Sequence, residues 1–211
     1  VLGSEEIDGM KRSLIVGSGL VLWVGALAWG TWTLWAFSAA PGPPAEAPAR
    51  WPEGTALQRS PGRGALVLFL HPLCPCSRAT LGELARVLGA GAPADDVHVV
   101  FLQPREPSDR WQESATWELA ARLPGALRHR DDGGRLTRSF GARTSGQALY
   151  YDADGRLRFQ GGLTPARGHE GHSPGHASLE ALLRRRPEPG NAPVTPVFGC
   201  PLGEEEIARV R

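Results

Sequence analysis

Residues 64–76 read Gly64-Ala65-Leu66-Val67-Leu68-Phe69-Leu70-His71-Pro72-Leu73-Cys74-Pro75-Cys76. The run from Ala65 to Leu70 is apolar without alternation, which suits a strand buried on both faces. Beyond His71-Pro72-Leu73 the pattern becomes helical, so Cys74 and Cys76 fall where a buried strand hands over to a helix. A helix N-terminus offers unpaired N–H groups and the positive end of a dipole. Both favour thiolate over thiol, and a thiolate is a nucleophile or a metal ligand. His71 is the nearest titratable neighbour: as a cation it lowers a thiolate pKa, and as a neutral ring it carries a proton or ligates metal. Arg78, one turn into the helix, is a second positive group able to steady a thiolate.

Downstream of the cysteines, Thr80-Leu81-Gly82-Glu83 has capping-box spacing, and Leu81, Leu84, Ala85, Val87 and Leu88 follow helical steps. Val97 to Leu102 predicts a second apolar strand. Ser108 to Leu123 predicts a helix carrying Trp111 and Leu119, ended by Pro124. Leu136 to Phe140 reads as a helical turn behind Asp131 and Asp132. Gln147–Tyr151 and Leu157–Gly161 flank Asp154-Gly155, a tight-turn signal, and so form an antiparallel hairpin. A last helix is expected from Pro174 to Arg185, capped by Ser173. The order is strand–helix–strand–helix, then hairpin, then helix. A right-handed crossover makes the first two strands parallel, with helices expected on both sides of the sheet.

The chain has 211 residues and a net charge of +1, which points to no nucleic-acid partner. It opens on Val1 and its single methionine is Met10, so residues 1–9 stay outside the fold reading. Leu14 to Phe37 contains no charged residue and is long enough to cross a hydrocarbon core of ~30 Å. Trp23, Trp29, Trp32 and Trp35 crowd its outer half, as interfacial tryptophans do. A cleavable signal peptide, with Ser38-Ala39-Ala40 as its cleavage site, is the alternative to an uncleaved anchor. Lys11 and Arg12 precede the span, and Ala39 to Glu46 holds neither Lys nor Arg, which puts the N-terminus in the cytoplasm and the rest outside. The expected organisation is a cytoplasmic segment 1–13, a transmembrane helix 14–38, a Pro/Ala-rich tether 39–62, a folded domain 63–186 and a Pro-rich tail 187–211 carrying Cys200.

The element order with cysteines at the first strand-to-helix junction resembles the thioredoxin fold over about residues 60–185. More narrowly, the stretches HPLCPCS, RTSGQALYYDADGRL, GGLTPARGHEG and TPVFGCPL together resemble membrane-anchored bacterial thioredoxin-like proteins of the RedB-like group. The resemblance implies an α/β fold, βαβ plus hairpin and C-terminal helix, on the periplasmic side of a membrane. Two departures matter. The usual active site is Cys-x-x-Cys, whereas here one residue separates the thiols. The family places a cis-proline before the third strand, opposite the cysteines, and here that stretch reads Thr144-Ser145-Gly146-Gln147. That proline normally shapes the substrate groove and keeps metals off the thiols.

Two functions follow. The first is an extracytoplasmic thiol–disulfide oxidoreductase with no cofactor, acting on a protein thiol or disulfide or on a metalloprotein under assembly. Cys74 is its nucleophile, Cys76 or Cys200 its resolving thiol, and His71 and Arg78 tune the thiolate. A Cys74–Cys76 bond needs a bent turn to bring the Cα atoms within about 4.4–6.8 Å. Cys200 is either a resolving thiol delivered by the tail or a lone thiol in a flexible end. The second function is a metal-binding or metal-delivery module for copper, or zinc, with Cys74 and Cys76 joined by His71, His169 or Cys200. The loop after Gly161 emerges on the cysteine edge, so His169, Glu170, His172 and His176 either approach the thiols or stay solvated. Arg143 and Thr144 reach the same edge from the other side. No phosphate-binding glycine motif, nucleophile elbow or Ser/His/Asp arrangement is present.

Overall fold

The computed structural model describes residues 4–89, 95–103, 113–184 and 193–203. The chain divides into two compact units, Val1–Ala39 and Ala40–Arg211. The first is one helix, α1 (Ser4–Ala39), whose stretch Gly9–Ala39 is long and apolar enough to cross a membrane. Leu22, Trp29 and Leu34 stand exposed on it, as apolar side chains do when no protein face covers them.

The second unit holds β1 (Ala65–Leu70), α2 (Pro75–Gly89), β2 (Asp96–Gln103), α3 (Ala115–Ala120), β3 (Ala126–Asp132), α4 (Arg135–Ser139), β4 (Gln147–Tyr151), β5 (Leu157–Gly161) and α5 (Pro174–Leu183). The sheet order is β3-β2-β1-β4-β5. β1, β2 and β3 run parallel, while β4 pairs antiparallel with β1 and β5 with β4. This is the expected thioredoxin-like arrangement, with the central β1 buried along its whole length.

Successive residues of β1 face opposite layers. Leu66, Leu68 and Leu70 pack beneath Leu81, Leu84 and Leu88 of α2 and Leu179 and Leu183 of α5. Burying each such side chain contributes about 1.5–3 kcal/mol. Val67 and Phe69 face the other layer, with Val100, Phe140, Leu149 and Tyr151. Here the expected second helical layer is mostly replaced by chain without regular structure. Trp51 sets its ring edge-on to Phe140 and Tyr151, Leu57 is buried, and Ala45 and Ala47 pack beside them. Residues 40–62 therefore lie across the sheet. Glu46 N–H donates to Gly141 O, Leu157 N–H to Ala49 O, and Tyr151 O–H to Pro48 O.

Two readings change. The segment Ala126–Asp132, expected as loop, is an edge strand paired with β2. Its polar sequence gives no alternating signal. The backbone ladder holds it, helped by Arg128 and Arg130, whose guanidiniums lie over Trp117 at 4.5 and 4.6 Å. Helix α2 begins at Pro75, so Thr80 and Glu83 are not its cap; the Thr80 hydroxyl donates back to Cys76 O inside the helix. Of the expected helix 108–123, only Ala115–Ala120 is helical among the described residues, and Trp111 lies outside them, as does Arg185. The hairpin falls where expected, with Asp152 Oδ1 accepting Asp154 N–H and Arg156 N–H and Gly155 at φ 74°.

Candidate functional site

The site forms where β1 ends. Pro75, in the first turn of α2, has no N–H to leave unpaired, and its fixed φ starts the helix directly after Cys74. Cys74 N–H donates to His71 O at 3.1 Å and Ser77 N–H to Cys74 O at 3.0 Å, so the turn is closed from both sides. Thr116 Oγ1 donates to Pro72 O at 2.7 Å and fixes the turn from α3. Cys74 is 2% exposed, and beside it opens a cavity of about 380 Å³ lined by Pro72, Leu73, Arg78, Thr116 and Leu119.

The tail comes to this point. Cys200 Sγ lies 2.8 Å from Cys74 Sγ, 126 residues away in sequence, with the Cys200 thiol donating to Cys74. All three cysteines are unbridged. The backbone of the tail fixes the approach: Ser145 N–H donates to Cys200 O at 2.8 Å, and Leu202 N–H to Arg143 O at 2.9 Å. Thr144 and Pro201 form an antiparallel bridge between those bonds. On the other side of the tail, Gly42 N–H donates to Val197 O at 2.8 Å. The tail thus docks, and Cys200 is not a thiol in a loose end.

The electrostatics separate the three sulfurs. The Cys200 thiol, then the Cys76 thiol, donates to Cys74 and holds it well below the usual thiol range, against the opposing effect of burial. Cys76 is pushed up, first by its hydrogen bond to Cys74, then by burial and by the Cys74 charge, while the Arg167 guanidinium pulls the other way. One thiolate, Cys74, is therefore flanked by two protonated partners.

The other expected site residues divide. His71 is buried at the end of β1, with its Nδ1 accepting Leu73 N–H at 3.2 Å and its own N–H donating to Ser145 Oγ at 2.9 Å. It shapes the turn. Arg78 is exposed on the cavity rim. Thr144 is buried and donates to Pro43 O, and Arg143 pairs with Glu46 at 2.7 Å. The histidine loop is spent elsewhere: His169 Nδ1 bonds Arg167 O at the surface, Glu170 pairs with Arg86, and His176 Nδ1 lies 2.7 Å from Glu83 Oε2. Glu83 is 1% exposed and also accepts Gly171 N–H, so it fastens this loop to α2. His172 stacks near His176, with ring centroids 6.1 Å apart. Among the described residues no three His, Cys, Asp or Glu side chains are grouped so as to hold a metal ion.

Two contributors went unnoticed in the sequence. Ser145 stands where the family's proline was expected; its hydroxyl bonds Ser77 Oγ at 2.9 Å and its N–H takes the Cys200 carbonyl. Arg167 donates to Gly199 O, next to Cys200. Both lie inside the stretches that carried the resemblance, RTSGQ and TPARG, which was the available signal.

No family model and no curated protein matches the chain. Solved structures do. A hypothetical protein of Sinorhizobium meliloti 1021 is 22% identical, with a TM-score of 0.53, covering 78% of this chain and 94% of its own. An uncharacterized conserved protein of Geobacillus kaustophilus is 18% identical, with a TM-score of 0.52, covering 78% and 92%. The thioredoxin domain of a thiol-disulfide oxidoreductase from Bacteroides vulgatus is a looser likeness: 17% identity, TM-score 0.42, 70% and 98% covered. These are likenesses of fold.

Proposed function

We infer that this protein is a membrane-anchored thiol–disulfide oxidoreductase working on the extracytoplasmic side, with Cys74 and Cys200 as its redox pair. The observation that carries the reading is the 2.8 Å approach of Cys200 Sγ to a Cys74 sulfur held as thiolate at a helix start. A small side-chain rotation brings such a pair to the roughly 2.05 Å of a disulfide bond. Cys74 is the nucleophile and Cys200 the resolving thiol. Cys76, protonated, donates to Cys74 and lowers its pKa as His71 and Arg78 were expected to do. The substrate class is a protein thiol or disulfide, including the thiols of a metalloprotein under assembly. Lys11 and Arg12 ahead of the apolar helix support a periplasmic domain, where a disulfide persists.

The test is alkylation and intact mass on the full chain across a glutathione series, with metal content read on the same samples. A two-electron transition is expected that survives Cys76→Ser and is lost in Cys74→Ser and Cys200→Ser. Loss in Cys76→Ser alone would reassign the pair, and no transition at all would overturn the reading. The copper- or zinc-module alternative draws on the same three sulfurs, with His71 and His169 as further ligands. It has less support, because His169 bonds to Arg167 O. Thiols that resist alkylation until a chelator is added would favour it.

A further inference from the structure

The tail is held as a strand along its whole docked length. Thr195 N–H donates to Gln160 O at 3.1 Å, and further along come the bonds at Val197, Cys200 and Leu202 described above. Val197 and Leu202 are buried. The strip is shaped for a close-lying backbone. A Cβ on Gly161 would fall on Thr195, one on Gly162 would meet Pro196 O and the Val197 Cα, and one on Gly199 would fall on Ser145 O. What the strip offers at Arg143 and Ser145 is main-chain N–H and C=O, which recognise any extended polypeptide. At its end lies the Cys74 sulfur.

The geometry points to a binding strip for an extended, cysteine-bearing polypeptide, in which the chain's own segment Thr195–Leu202 is a tethered occupant that substrate displaces and that returns to expel product. The inference rests on the oxidoreductase reading and adds the shape of the substrate and a competitor for its place. The step balances on the substrate alone. A disulfide-bonded substrate segment takes the strip and moves the tail aside. Cys74 thiolate attacks one substrate sulfur; the substrate S–S bond breaks, a Cys74–substrate bond forms, and the other substrate sulfur leaves with the electron pair and takes a proton. The tail redocks. Cys200, giving up its proton, attacks Cys74 Sγ; the mixed disulfide breaks, the Cys74–Cys200 bond forms, and the second substrate sulfur leaves as a thiolate that takes up that proton. The substrate disulfide is reduced by two electrons and the protein pair is oxidised by two.

The test uses the full chain in detergent with Cys74 as its sole cysteine, C76S/C200S. The probe is the peptide TPVFGCPL with its cysteine joined to thionitrobenzoate, whose release is followed by absorbance. Free cysteine joined to the same group is the small probe. Adding G199A, which drives the tail off Ser145 without touching the strip, is expected to speed the peptide reaction about tenfold, equivalent to ~1.4 kcal/mol. The small probe, which needs no strip, is expected to change far less. V197D, which expels the tail by burying a charge instead of by a clash, must reproduce the result, with thermal melts confirming that each variant is folded. Equal peptide rates with and without these changes, or equal acceleration of both probes, would overturn the inference while leaving the oxidoreductase reading in place. A Cys74 that reacts with neither probe in any variant would sink that reading instead.

Discussion

Oxidation of the site carries a stability change whose size identifies the bond. A Cys74–Cys200 disulfide closes a loop of 126 residues. On the chain-entropy argument such a loop stabilises the folded state by about 5 kcal/mol, whereas a Cys74–Cys76 bond, closing over a single residue, contributes about 1.5 kcal/mol before any strain. For a domain of this size, each kcal/mol is worth about 2–4 °C, so the Cys74–Cys200 bond shifts the midpoint by roughly 10–20 °C. The same free energy makes the folded pair about 100 mV more reducing than the pair in the unfolded chain. The assay is urea unfolding of the full chain in detergent, followed by circular dichroism, on samples held oxidised or reduced. The shift is expected to persist in Cys76→Ser and vanish in Cys200→Ser. A gain under ~2 kcal/mol, or one that survives Cys200→Ser, would refute the reasoning, because no other cysteine pair spans a comparable loop.

Alkylation of Cys74 in the reduced protein is expected to stay fast as pH falls below the usual thiol range of ~8.5, since its pKa is lowered; Cys200→Ser, which removes the first S–H donor, is expected to move the profile back upward. A stopped-flow pH series reads this, and a profile unmoved by the substitution counts against the donor role. Burial pushes the Glu83 carboxyl up, but Gly171 N–H, Arg86 and His176 outweigh it and hold it below the usual range. Its contribution to stability is therefore present above the unfolded carboxylate pKa and is lost as pH falls through the lowered folded value. Glu83→Gln is expected to cost about 1–3 kcal/mol at neutral pH, less in acid, in denaturant melts at the two pH values. Arg167→Ala removes the donor to Gly199 O, and the rate of Cys74–Cys200 bond formation is expected to drop severalfold while Cys74 alkylation holds; an unchanged rate would mean that the contact does not position the tail.

The central strand, the cysteine turn and the hairpin were legible because each announces itself locally, by an unbroken apolar run, by two thiols at a helix start and by Asp154-Gly155. Strand β3 was not, because an edge strand needs apolar side chains on neither face when the ladder and the cations over Trp117 hold it. The tail misled for a different reason. Pro and Gly mark flexible chain, yet here Gly199 is required by the close approach to Ser145 O. The same composition serves both ends, and only the partner surface, 126 residues away at Cys74, decides between them. The histidines after Gly161 had the right chemistry for ligands, but His176 was already committed to Glu83, whose burial nothing in the capping-box spacing revealed.

The strap ahead of β1 sets where the protein can be cut. A fragment beginning at residue 63 would keep every strand, all three cysteines and the whole hairpin, and would pass as the catalytic domain. It would also leave behind Trp51, Leu57 and the carbonyl that Tyr151 needs, and with Gly42 one wall of the tail's berth. Such a fragment is expected to elute as aggregates and to oxidise sluggishly, while one beginning at residue 40 stays dispersed. The prolines of this strap remove N–H groups that a sheet-covering segment would otherwise have to satisfy. A stretch that reads as spacer is thus a lid of the hydrophobic core, and a boundary drawn by composition would run straight through it.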